Sequence, residues 1–130
     1  MASFFTKIIR GDKPCYKIAE NEYCFSFLDI NPLQKGHVLV VSKTEADQLF
    51  DLDDKSYSEL LTFTKIISIA IKKAFPCNRI GMSVIGLEIP HAHIHLIPIN
   101  LEKDMNFAQP KKSFSIVEFE SIVAQIKAYL

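Results

Sequence analysis

Three histidines, His91, His93 and His95, fall within five residues, and His37 completes the chain's complement of four. Imidazole titrates closest to neutral pH, so it can act as base, acid, nucleophile or metal ligand. The run His91-Ala-His-Ile-His-Leu-Ile97 alternates imidazoles with apolar residues. Read as a strand, it puts the three histidines on one face, roughly 6.6 Å apart from a ~3.3 Å rise per residue. Ala92, Ile94 and Leu96 take the other face. Three readings follow. The plainest is a histidine-rich strand without chemistry, which suits a lone histidine better than three on one face. The second is a zinc hydrolase drawing ligands from His91, His93, His95 or His37, with Glu88 and Asp29 available. A catalytic zinc takes three protein ligands and a water, but neither C-x-x-C nor H-x-x-E spacing accompanies these residues. The third is nucleophilic catalysis. An imidazole attacks phosphorus and splits one displacement into two, while neighbours fix its tautomer and donors stabilise the phosphoryl oxygens.

The surrounding pattern predicts the elements that must hold these residues. Phe4 to Ile9 reads as one or two helical turns closed by Gly11, and Asp12-Lys13-Pro14 as a turn. Tyr16 to Glu20 and Tyr23 to Leu28 read as a hairpin turning at Glu20-Asn21-Glu22. Asp29 to Gly36 is a loop, and His37 to Ser42 is a β-branched run suited to a strand buried on both faces. Asp53 is the expected N-cap of a long helix whose stripe is Leu60, Phe63, Ile67, Ala70 and Ala74. Ile66, Ile69 and Ile71 widen the stripe, which predicts cover on more than one side, and Pro76 ends the helix. Arg79 to Ile85 and His91 to Pro98 are two further strands, joined by Gly86 to Pro90. Asn100 to Ser113 is polar and irregular. Val117 to Leu130 reads as a helix with Ile122, Ile126 and Tyr129 on one face. This order predicts an α+β fold: a five-stranded antiparallel sheet, one long helix packed on it, and shorter helices at both ends.

Composition excludes several classes. The chain has 130 residues, 48% hydrophobic and 23% charged, which suits a single soluble domain. We expect residues 1–102 to form the domain and 103–130 an extension ending in a helix packed on it. Fifteen basic residues balance fifteen acidic ones, so no basic field is available for nucleic acid or an anionic membrane. No run approaches the ~18 apolar residues of a membrane span. Lys7 and Arg10 interrupt the apolar character of Met1 to Asp12, unlike a signal peptide. Cys15, Cys24 and Cys77 are odd in number and lack C-x-x-C spacing, which favours a reducing compartment over a disulfide framework. The expectation is a cytoplasmic protein.

The seven residues 91–97 resemble the H-φ-H-φ-H-φ-φ signature (φ apolar) of the histidine triad nucleotide-binding proteins. Phe5 to Pro14, Phe27 to Pro32 and Gly36 to Val41 resemble blocks of that family in its order and spacing, so the likeness covers roughly residues 4–99. It implies a homodimer pairing through the long helix and a strand, and cleavage at the α-phosphorus of a purine nucleotide. The implied substrates are phosphoramidates, dinucleoside polyphosphates or adenylated carriers. His93 would be the nucleophile, oriented by the main-chain carbonyl of His91. His95 would bind a phosphate oxygen or serve the leaving group, and His37 would orient His91. Asp29 would accept the ribose hydroxyls. Phe5, Ile8, Phe27 and Ile30 would line the base slot. The plainer reading is core packing for those four and a turn role for Asp29.

Three departures stand out. Many members carry Gly-Gln-Ser or Gly-Gln-Thr where this chain has Gly86-Leu87-Glu88. Leu87 cannot donate a hydrogen bond, and Glu88 brings negative charge unless burial makes it a general acid. The loop before the triad is short and lacks an evident counterpart to a phosphate-binding asparagine. Ser3 and Thr6 stand where zinc-binding members have C-x-x-C, so no structural zinc and no cofactor are expected. The Leu87 and Glu88 changes keep open a nucleotide-binding module with weak catalysis.

Overall fold

The structure is a computed structural model that describes residues 2–130; Met1, the first residue of the expected 1–102 unit, lies outside them. Helix α1 spans Phe4–Arg10, and strands β1 (Lys17–Glu20), β2 (Cys24–Leu28) and β3 (Val38–Ser42) follow. Helix α2 runs Asp54–Ala74, then come β4 (Arg79–Ser83), β5 (His93–Ile99) and helix α3 (Ile116–Lys127). The strands form one antiparallel sheet in the order β1-β2-β3-β5-β4. The expected α+β architecture is therefore the observed one.

Strand alternation sorts the sheet into two faces. Val38, Val40, Ile94 and Leu96 point to the face covered by α2 and α3, with Leu60, Phe63, Ile67, Ala70 and Ile71 of α2 against them. Phe119, Ile122 and Ile126 carry α3 into that same core. On the opposite face Phe25, Phe27, Leu39 and Val41 meet Phe5 and Ile8 of α1. β2 and β3 are buried at every position because both faces are covered.

The helix ends follow their expected chemistry. Asp53 Oδ1 accepts the Ser56 N–H at 2.8 Å, and α2 stops at Phe75 before Pro76. Gly11 closes α1 at φ 86°, the left-handed conformation that glycine adopts without strain.

Four expectations need correction. Ile66 and Ile69 of α2 stay exposed, at 52% and 48%, because the sheet covers only the Leu60–Ile67–Ile71 side. Tyr129 lies beyond the end of α3 and is exposed; Phe119 joins Ile122 and Ile126 on the buried face instead. β4 ends at Ser83 rather than Ile85. β5 begins at His93, so His91 precedes the strand. The His91 N–H bonds back to the Ile89 carbonyl and the Ala92 N–H to the Ala46 carbonyl, which takes both residues out of the ladder with β4.

Candidate active site

β3 and β5 pair with Leu39 opposite His95 and Val41 opposite His93. This register puts His93 and His95 on the α1 side of the sheet, their ring centroids 5.2 Å apart. His37 immediately precedes β3 and shares the parity of Leu39, so it reaches the same face. Gly36 delivers it from a positive φ of 92°, and a Cβ there would sit 2.8 Å from the Phe75 ring.

The hydrogen bonds assign the tautomer of each imidazole. His93 Nδ1 lies 2.6 Å from the His91 carbonyl oxygen. A carbonyl only accepts, so Nδ1 carries the proton and Nε2 keeps its lone pair. Burial holds the His93 pKa below the ordinary imidazole value, partly offset by that hydrogen bond. The result is a neutral ring with an available nucleophilic nitrogen.

His37 and His95 form the complementary chain. The Leu33 N–H donates to His37 Nδ1 at 3.0 Å, so the His37 proton sits on Nε2. His37 Nε2 then donates to His95 Nδ1 at 3.0 Å. The proton of His95 is thereby fixed on its Nε2, as a donor. Burial pushes the His37 pKa down to about 3 and the His95 pKa down to about 4, so both rings are neutral at pH 7. The expected role of His37 is thus corrected. It orients His95, not His91, because the β3–β5 register brings it to the far end of the triad.

His91 is oriented from the N-terminus instead. His91 Nε2 donates to the Ser42 carbonyl at 2.6 Å, which leaves Nδ1 to accept the Ser3 hydroxyl at 2.5 Å. Ser3 Oγ also accepts the Thr6 N–H as the N-cap of α1. The Ser3 N–H and the Thr6 hydroxyl donate to the Glu45 carboxylate, which holds the Glu45 pKa down at about 2. Ser3 and Thr6 therefore bind through hydroxyl hydrogen bonds where thiolates would hold zinc, and zinc prefers nitrogen and sulfur donors.

Among the described residues, Asp29, His37 and His95 also bring potential ligand atoms within 4.8 Å of one another. The fit to a metal is poor. The lone pairs on His37 Nδ1 and His95 Nδ1 already accept hydrogen bonds, and the His37 Nε2–H points between the rings.

These groups open on a cavity of about 480 Å³, within the usual range for a small-molecule site. Phe5, Ile8, Phe27, Leu39 and Ile30 line it, as do Asp29, His93 and His95. Phe5 is fully buried and packs edge-on to His93 at 4.8 Å, so it serves core and cavity together. Ile30 is 61% exposed at the rim. Asp29 Oδ1 accepts the Asn31 N–H at 2.8 Å, and burial raises the Asp29 pKa. Its turn role and its place in the cavity therefore coexist. His37 and His91 are buried behind this wall. Leu87 and Glu88 lie exposed on the rim, so the burial on which an acid role for Glu88 depended is missing.

Phe107 and Lys111, from the segment after β5, also line the cavity. Phe107 packs edge-on to His95 at 5.0 Å. Nothing in the periodicity of the polar 100–113 stretch marks either residue.

This fold and histidine arrangement define a class. The HIT domain matches residues 10–101, and the chain belongs to the histidine triad (HIT) family. It is 33% identical over 130 residues to an uncharacterized HIT-like protein of Borreliella burgdorferi, covering 94% of each chain. It is 32% identical to the adenosine 5′-monophosphoramidase hnt1 of Schizosaccharomyces pombe, covering 98% of each. Among solved structures, a Hit-like protein of Bartonella henselae superposes with a TM-score of 0.84 at 26% identity, covering 98% of this chain and 96% of that one.

Proposed function

We propose that the protein is a hydrolase or transferase that cleaves at the α-phosphorus of a purine nucleotide, with a phosphoramidate as the leading substrate. The observation that carries this reading is the pair of opposed tautomers: a lone pair on His93 Nε2 beside a proton on His95 Nε2. The name of the fission-yeast relative supplies the substrate class.

In the first displacement His93 Nε2 attacks the α-phosphorus. The bond from phosphorus to the leaving group breaks, and the leaving group departs with its electron pair. His95 Nε2–H is oriented to donate to that departing atom or to a phosphate oxygen. The adduct is a nucleotidyl-histidine on His93. In the second displacement water attacks the same phosphorus and gives up a proton that replaces the one taken by the leaving group. The phosphorus–nitrogen bond breaks with its electron pair returning to His93 Nε2, and the nucleoside monophosphate leaves. His91 acts through its carbonyl and His37 through His95, so both are positioning residues. Asp29 would accept the ribose hydroxyls, and Phe5, Ile8, Phe27 and Ile30 would hold the base.

The active species in this reading is a homodimer. β4 is an edge strand, and Met82 (57%) on it, Val84 (42%) just after it, and Ile66 and Ile69 of α2 are exposed. An uncovered edge with apolar neighbours is a surface that soluble proteins usually pair or cover.

The test is steady-state turnover of adenosine 5′-phosphoramidate by the wild type and His93→Ala. Loss of nearly all turnover, with the fold and adenosine monophosphate binding kept, supports the reading. Undiminished turnover by His93→Ala overturns it. Tight binding with no turnover by the wild type selects the weak-catalysis alternative raised by Leu87 and Glu88.

A further inference from the structure

We propose that Lys111, on the segment after the sheet, is the counter-charge for the substrate's phosphate. The inference rests on the nucleotide reading above and adds a residue to it. Among the described residues lining the cavity, Lys111 is the only lysine or arginine, whereas Asp29 and Glu88 are both acidic. A phosphate entering this cavity meets two carboxyl groups, neutral imidazoles and a single cation. Leu87 and Glu88 supply no side-chain donor that could share the work.

The segment bearing Lys111 is seated on the catalytic wall. Phe107 packs against the rings of His95 and His37, with centroids 5.0 and 6.3 Å away. The Lys111 ammonium donates to the Phe107 carbonyl and, at 3.3 Å, to the Gln109 carbonyl. The Lys112 N–H ties the chain to the Pro32 carbonyl at 2.8 Å, beside the loop that carries Asp29. These contacts hold a flexible side chain at the cavity mouth. The Lys111 charge acts on both Asp29 and His37, consistent with its nearness to the His95 end of the site. An ammonium carries three protons, so two carbonyl contacts leave one for a phosphate oxygen.

The experiment measures equilibrium binding of adenosine monophosphate and of adenosine to wild type, Lys111→Gln and Lys111→Arg. The expected result is an approximately tenfold loss of monophosphate affinity in Lys111→Gln, the size of one charge-assisted contact. Adenosine affinity should stay within about twofold, and Lys111→Arg should recover most of the loss. Equal weakening of both ligands would mean that Lys111 only staples its own loop, and no change in either would mean that it faces solvent; either result overturns the proposal. Phosphoramidate turnover by the wild type separates the two claims. Turnover without discrimination at position 111 sinks only this inference, whereas a wild type that neither turns over nor binds sinks both.

Discussion

His37 should make the protein acid-labile, and a single substitution should remove much of that lability. Burial holds His37 at about 3, against 6.5 for a free imidazole. The unfolded chain therefore takes up a proton at this position as pH falls below 6.5, while the folded chain resists until pH 3. The contribution to stability is present above pH 6.5 and is lost on acidification through the interval down to about 3. Between pH 7 and pH 4.5 these two values give a loss of about 2–3 kcal/mol from this one group. For a domain of this size that corresponds to roughly 8–10 °C in melting temperature. His37→Gln carries no titrating group and can replace one of the two hydrogen bonds, to Leu33 N–H or to His95. It should be less stable than the wild type at pH 7, and the gap should close by about this amount at pH 4.5. Calorimetric melting of both proteins across pH 4.5–7.5 measures the difference directly, because other titrating groups largely cancel. Parallel curves would refute the buried, neutral His37 on which the His95 tautomer depends.

Two further outcomes follow from the hydrogen-bond chains. Ser3→Ala removes the α1 N-cap and the donor to His91 Nδ1, and should cost ~2–3 kcal/mol in urea unfolding, combining a lost cap with an unsatisfied buried acceptor. Asp29→Asn keeps an acceptor for the Asn31 N–H but loses the carboxylate facing the cavity. It should raise KM for the phosphoramidate about tenfold with little change in kcat, in steady-state kinetics.

The sequence made some of this legible and hid the rest for identifiable reasons. α2 could be read because Asp53, an apolar stripe and Pro76 mark its start, face and end. β3 and β5 could be read from β-branched runs and alternation. The grouping of His93 and His95 on one face of β5 was legible in residue type and spacing. The partner of His37 was hidden because it depends on which residue of β3 faces which residue of β5. Local pattern leaves that register open, and it decides whether His37 reaches His95 or His91. Glu45 carries no local signal because its partners lie about forty residues away in the chain. Phe107 and Lys111 reach the cavity only through tertiary packing of a stretch with no period to read.

The central claim is a double displacement through His93, and the stereochemical course at the α-phosphorus tests it most directly. A substrate chiral at that atom should be hydrolysed with net retention, because two in-line displacements each invert the centre. Net inversion would mean that water attacks the nucleotide in one step, and would contradict the covalent role assigned to His93.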